Sequence, residues 1–168
     1  MSARVALYKP QIPPNTGNIA RQCVGWDIPM TILGTPAFSV KESDAKRAGL
    51  DHWSNLDFEL ITRFKDFYKF YQNNSHWIAV TKEGESSLWN TELPENSLFL
   101  FGSETKGLPP SLRRQCSMQL RIPVYGPVRS FNLANSVAVV LSEYLRQYPK
   151  KKEANPGIQT YRKPSHVQ

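Results

Sequence analysis

Residues 120–148 read LRIPVYGPVRSFNLANSVAVVLSEYLRQY. A short apolar run ends at Ile122, and Pro123 has no amide hydrogen to offer a continuing central ladder, so a strand stops there. Gly126 and Pro127 mark a tight loop. Beyond it, Leu133, Val137, Val140, Leu141, Tyr144 and Tyr148 recur at the spacing of one helix face. Arg129, Ser130 and Asn132 therefore fall in a stiff loop between the carboxyl end of a strand and a helix. Open α/β sheets hold their ligands at such places.

The pattern repeats toward the amino terminus. The last strand, Met118 to Ile122, follows a short helix from Pro109 to Cys116 with proline in its first turn. Leu98 to Phe101 and Trp77 to Val80 are near-continuous apolar runs, as strands covered on both faces should be. Between them, 82–96 is polar and turn-rich. From Arg63 to Gln72, Phe64, Phe67, Tyr68 and Tyr71 stand at helical spacing, a stripe that reads as core packing in preference to base stacking. Asp57 to Thr62 and Met30 to Leu33 are further strands, separated by a charged helix at Lys41 to Ala48 that Gly49 closes. Val5 to Tyr8 is the first strand. Pro10, Pro13 and Pro14 then force an extended loop, and Asn15 is expected to cap a helix running to about Gly25. Strands alternating with helices predict an α/β fold with a parallel sheet flanked by helices. Residues 1–148 form one expected domain. The stretch 149–168, with Lys150, Lys151 and Lys152 among prolines, is expected to be a flexible basic tail.

At 168 residues the chain suits a single domain, long enough to bury about 70% of its unfolded surface. Lys and Arg number 21 against 14 acids, a net charge of +7 that favours a polyanionic partner such as nucleic acid. Cys23 and Cys116 form no metal-type pair and read as reduced core thiols. No apolar run approaches a membrane span and no targeting peptide is visible, so a cytoplasmic protein is expected. No two glycines stand at i and i+2, which removes the dinucleotide fingerprint. Gly102 to Gly107 superficially suggests a P-loop, but Leu108 and Pro109 replace the Lys and Ser/Thr that motif needs. There is no G-x-S-x-G elbow. His52, His76 and His166 lack metal-ligand spacing, so no metal is expected.

Three polar loops remain, each following a strand. Pro13 to Arg21 offers the free amides of a helix start to an anion. Gly102 to Pro109 begins with a glycine that permits close backbone approach and carries Glu104. Arg129 to Asn132 supplies a guanidinium, a hydroxyl and an amide, with an ordinary N-cap by Ser130 as the plainer reading.

In this order, Asn15-Thr16-Gly17-Asn18-Ile19-Ala20-Arg21, Phe101-Gly102-Ser103-Glu104-Thr105-Lys106-Gly107-Leu108-Pro109, and Ile122-Pro123 with Arg129-Ser130-Phe131-Asn132-Leu133 resemble the three motifs of the SPOUT (trefoil-knotted) methyltransferases. The small TrmL-type tRNA 2′-O-methyltransferases are the most similar group. The resemblance spans about residues 4–148, with Arg47-Ala48-Gly49-Leu50-Asp51 as a weaker local match and Phe131, Val124 and Ala134 as mild departures. It implies a C-terminal deep trefoil knot, a homodimer, and S-adenosylmethionine as cofactor, leaving as S-adenosylhomocysteine without a metal. The implied activity is methylation of the ribose 2′-hydroxyl of the tRNA wobble nucleotide, a cytidine or modified uridine. Carried over residue by residue, cofactor contacts fall on Val80, Gly102, Ile122 and Ser130. Arg21 and Asn132 fall in catalytic places, and Asn15, Glu104 and Arg129 in substrate-binding ones. Arg21 suits holding the phosphate beside the target ribose. Lys41, Lys46, Arg47, Arg113, Arg114 and the tail lysines are candidates for an RNA patch. An enzyme of this class acting on ribosomal RNA would share every motif. A non-catalytic RNA-binding module would carry the same basic charge but bind no cofactor. A small-molecule O-methyltransferase would have no use for that charge.

Overall fold

Residues 2–41, 43–44, 52–72 and 76–150 are described by a computed structural model. The apolar runs become strands β1 (Ser2–Tyr8), β2 (Met30–Leu33), β3 (Phe58–Ile61), β4 (His76–Val80), β5 (Ser86–Ser87), β6 (Asn96–Phe101) and β7 (Met118–Arg121). Accompanying them are the helices α1 (Pro13–Trp26), α2 (Phe64–Tyr71), α3 (Pro110–Arg113) and α4 (Leu133–Gln147). The strands form one sheet in the order β3-β2-β1-β6-β4-β7-β5, and every pairing is parallel. All strands thus end at one edge, where the three polar loops leave the sheet.

Side chains alternate across a strand, and here both faces are covered. Val5, Leu7, Ile78, Phe99 and Phe101 join Ile19 and Cys23 of α1 and Val137 and Leu141 of α4 in one core. Ala6, Ala79, Leu98 and Leu100 join Phe67 and Tyr71 of α2 and Leu112 of α3 in a second, on the other face. Phe99 is fully buried, and burial of such a side chain contributes about 1.5–3 kcal/mol. Burial also holds the Cys23 thiol up at about 12; both cysteines are free.

Several expectations need correction. The first strand begins at Ser2, not Val5. Asn15 does not cap α1: the helix starts two residues earlier with Pro13 and Pro14 in its first turn and Ile12 at the cap position. Its far end, at Trp26, falls within one residue of the expected Gly25. Asp27 takes the left-handed conformation at φ 49°, its N–H donating back to α1 carbonyls, a place where glycine is commoner but Asp is tolerated. The turn-rich stretch 82–96 also holds a strand without apolar signal, β5, and a 3-10 turn at Leu88–Asn90. The aromatic stripe of α2 divides. Phe67 and Tyr71 are buried, while Phe64 and Tyr68 are exposed. The helix expected at 41–48 lies mostly outside the described residues, and of the tail only Pro149 and Lys150 are described. No helix among the described residues is long and apolar enough to cross a membrane.

One connection sets this sheet apart. β4 and β5 are consecutive in sequence, yet β7 lies between them, pairing Ala79 with Gln119 on one side and Ser86 with Leu120 on the other. The segment 81–85 therefore crosses β7. At the crossing Gly84 sits so close that a Cβ there would stand 2.5 Å from the Leu120 carbonyl carbon. Arg121 clamps the crossing by donating to the carbonyls of Gly84 and Glu85 at 3.0 and 2.7 Å. The end of α4 holds the return segment: Gln147 accepts from Leu93 N–H at 2.8 Å and donates to Thr91, and Tyr148 donates to the Leu93 carbonyl.

Candidate active site

At the carboxyl edge of β4, β6 and β7 the loops enclose a cavity of about 1050 Å³. Val80, Gly102, Ile122 and Ser130 all line it, together with Asn15, Glu104, Arg129 and Asn132. Arg21 does not. It stands exposed on α1, outside the cavity of its own chain. The walls divide by chemistry. Val80, Phe101 and Ile122 supply apolar strand ends, Leu108 adds an apolar side chain from the second loop, and the three loops supply polar groups.

A chain of hydrogen bonds locks the loops to one another. The Glu104 carboxylate accepts from the backbone N–H of Gln11 at 2.9 Å and of Ile12 at 3.1 Å, and from Asn15 Nδ2 at 3.1 Å. Asn15, 6% exposed, accepts in turn from Asn132 Nδ2 at 2.9 Å through its Oδ1. Asn132, not Ser130, is the N-cap of α4, accepting from Ala134 N–H at 2.9 Å and Asn135 N–H at 3.4 Å. Gln11 closes the latch from the other side, its Oε1 accepting from both Thr105 N–H at 3.3 Å and the Thr105 hydroxyl at 2.6 Å. Glu104 thus places a negative charge at the amino end of α1, where the helix dipole favours it. Its two oxygens are occupied in joining loops rather than turned wholly to the cavity.

Gly102 has a sharper requirement than a generic close approach. A Cβ at this position would lie 2.1 Å from the Gly107 carbonyl carbon and 2.3 Å from the Leu108 nitrogen. Residues 103–107 fold back on Gly102, with a bridge between Ser103 and Gly107 and Gly107 itself at φ 64°. Two glycines therefore shape the loop from within.

The charges at the cavity are unequal in role. Arg121 is committed to the Gly84–Glu85 turn. Glu83 is paired with Arg113, so Arg113 is not the open RNA-patch cation expected of it. Lys46 and Arg47 lie outside the described residues, and Lys41 and Arg114 are exposed. Lys82, Lys106 and Arg129 also line the cavity and are exposed, without an ion pair among the described residues. They give its mouth a cationic rim. A smaller cavity of about 550 Å³ lies at the amino-terminal edge of the sheet, between Ala3, Pro29 and Tyr148; none of the three loops reaches it.

Three comparisons bear on this arrangement. The family described as SpoU rRNA methylase matches residues 2–142. The chain belongs to that family. A Bacillus subtilis (strain 168) protein, provisionally named tRNA (cytidine(34)-2′-O)-methyltransferase, is 36% identical over 151 residues, 88% of this chain and 94% of its own. The structure described as "Structural insights into the 2-OH methylation of C/U34 on tRNA" superposes with a TM-score of 0.81 at 35% identity, covering 88% of this chain and 96% of that one. The SpoU methyltransferase AviRb from Streptomyces viridochromogenes, solved with AdoMet, shares the fold at a TM-score of 0.77 and 22% identity, over 86% of this chain and 57% of that one.

Within this SpoU chain the residues that sequence reasoning missed are Gln11 and Thr105, which latch two loops, and Lys82 and Lys106 on the rim. Gln11 lies between prolines in a stretch with no periodic signal. Only the strand order, which brings the ends of β1 and β6 side by side, reveals what it faces.

Proposed function

We propose that the protein transfers a methyl group from S-adenosylmethionine to the ribose 2′-hydroxyl of the wobble nucleotide of tRNA, a cytidine or modified uridine. The observation that carries this reading is the convergence of three loops on one cavity in a SpoU chain whose relatives are named for position 34. The cavity suits the cofactor in kind: apolar strand ends at Val80 and Ile122 for a flat base, and a hydroxyl at Ser130 for its polar groups. S-adenosylmethionine, when bound, supplies an activated methyl on a sulfonium. The chain's own work is then positioning, which can lower the barrier by about 7–11 kcal/mol. Asn132 fixes the start of α4 and with it the loop bearing Ser130 and Arg129. Arg129, Lys82 and Lys106 meet RNA phosphate at the rim. A guanidinium stays protonated at working pH, so Arg21, which stands outside the cavity of its own chain, holds the phosphate next to the target ribose from the second protomer of the homodimer and does not take the proton.

The same reading carries a deep trefoil knot, supported by the insertion of β7 between β4 and β5. It also carries a single domain over 1–148, a basic tail at 149–168, a cytoplasmic location, and a homodimer for which exposed Ile12, Val128 and Phe131 offer apolar surface. A ribosomal substrate is the second reading, favoured by the family description itself. Transfer of labelled methyl to total tRNA and to ribosomal RNA fragments, followed by nucleoside mapping, tests both. Label at a 2′-O-methyl nucleoside of position 34 is expected. Label only in ribosomal RNA would select the second reading, and absence of label with absence of heat on titrating S-adenosylhomocysteine would leave a non-catalytic binder.

A further inference from the structure

The divided aromatic stripe of α2 leaves a face that neither core uses. At 3.6 residues per turn, Phe67 and Tyr71 point to the core while Phe64 and Tyr68 lie on one flank, about 40° apart. Their exposures are 41% and 42%. These rings are held from below: Phe64 lies 6.3 Å from Phe67 and 6.4 Å from Trp77, and Tyr68 5.7 Å from Trp77. Lys65 and Lys69 continue the same arc, about 100° and 140° round from Phe64. Both are exposed and without an ion pair among the described residues. Asp66, the acid of the helix, lies beyond them and is bound by Arg63 at 2.7 Å. Phe70 projects from the opposite flank and is not part of this face.

We propose that the Phe64–Lys65–Tyr68–Lys69 face is a second contact surface for the tRNA, apart from the target nucleotide. The inference rests on the tRNA reading above. Rigid exposed rings stack unpaired bases, and neighbouring ammonium groups meet phosphates. A protein partner fits less well, because lysine is depleted at protein–protein interface cores and this chain carries a net +7. The placement also serves. α2 begins just after β3, whose end lies on the same sheet edge as the cavity loops. Phe64 and Tyr68 rest on Trp77, three residues before the cavity-lining Val80 of β4, about 10 Å along the strand. That separation lies within reach of one RNA molecule already held at the cavity.

The test uses the full-length protein and a full tRNA transcript, with affinity followed by anisotropy over a salt series. In Lys65→Glu/Lys69→Glu the dissociation constant should rise about tenfold or more and the salt slope should become shallower by about 1–2. Phe64→Ala/Tyr68→Ala should weaken binding about ten- to hundredfold with the slope nearly unchanged. Heat on titrating S-adenosylhomocysteine should match wild type in both, which shows the cavity intact. The lysine pair, fully on the surface, keeps the test valid should the aromatic pair unfold. Wild-type affinity and slope in the lysine variant would overturn the inference while leaving the proposed function standing. So would loss of affinity that follows from a change of oligomeric state in sedimentation. Failure of the wild-type protein to bind tRNA would overturn the proposed function and this surface with it.

Discussion

Replacing Glu104 by alanine distinguishes a residue that builds the site from one that only touches RNA. Its carboxylate accepts three hydrogen bonds, two from the amides of Gln11 and Ile12 and one from Asn15 Nδ2. The two amides are exposed enough for water to replace the lost acceptor. Asn15, at 6% exposure, is not, and an abandoned buried donor costs about 1–3 kcal/mol. Adding a few tenths for the helix-dipole charge gives about 1.5–3.5 kcal/mol. In a chain of this length each kcal/mol lowers Tm by about 2–4 °C, so Glu104→Ala should melt about 3–14 °C early. Glu104→Gln keeps the shape but turns an amide NH2 group toward donors, and should fall between. Affinity for S-adenosylhomocysteine, read by calorimetry, should drop in step, since the same bonds tie the Gly102 loop to α1 and through Asn15 to α4. A variant with wild-type melting and wild-type cofactor affinity, weakened only for tRNA, would refute this reasoning and return Glu104 to a plain substrate ligand.

Gly102→Ala must displace backbone at Gly107 and Leu108 by more than 1 Å; a displacement of that size costs about 10²-fold in transfer rate, and a rate within threefold of wild type would contradict the packing. Arg21→Ala should keep S-adenosylhomocysteine affinity while losing most methyl transfer, and equal loss of both would argue against its phosphate-holding part. The Cys23 thiol, held up at about 12 by burial against an ordinary 9.0, keeps its proton in the fold while the unfolded chain loses it. Stability should therefore be flat below about pH 9 and fall as pH rises toward about 12, a fall that denaturant titrations should show diminished in Cys23→Ala.

Much of the fold is legible because covered parallel strands are written as unbroken apolar runs. Met30–Leu33 matches its strand whole, and Trp77–Val80 and Leu98–Phe101 fall short only by polar residues at the strand starts. The helix ends are harder. Asn15 reads as a cap by residue type, yet two prolines outrank it as helix starters and release its side chain for Glu104 and Asn132. The far end of α1 is legible to within a residue of Gly25, but not that Asp27 takes the left-handed turn beyond it. β5, two serines long, carries no apolar signal and exists only because β7 lies beside it. The candidate site is legible as three separate loops. Their joining through Glu104, Asn15 and Asn132 is not, since hydrogen bonds between residues about ninety or more positions apart leave no periodicity.

The place of β7 bears on how the chain is made. A ribosome delivers β4, β5 and β6 before residue 118 exists, so the nascent chain cannot pair β4 with β5 through the strand that belongs between them. A slot must stay open until the last segment arrives, and α4 can dock only afterwards to secure Leu93. Cutting the chain after β6 would therefore leave an unfinished sheet, with β4 as a bare edge and β5 without the strand it pairs with.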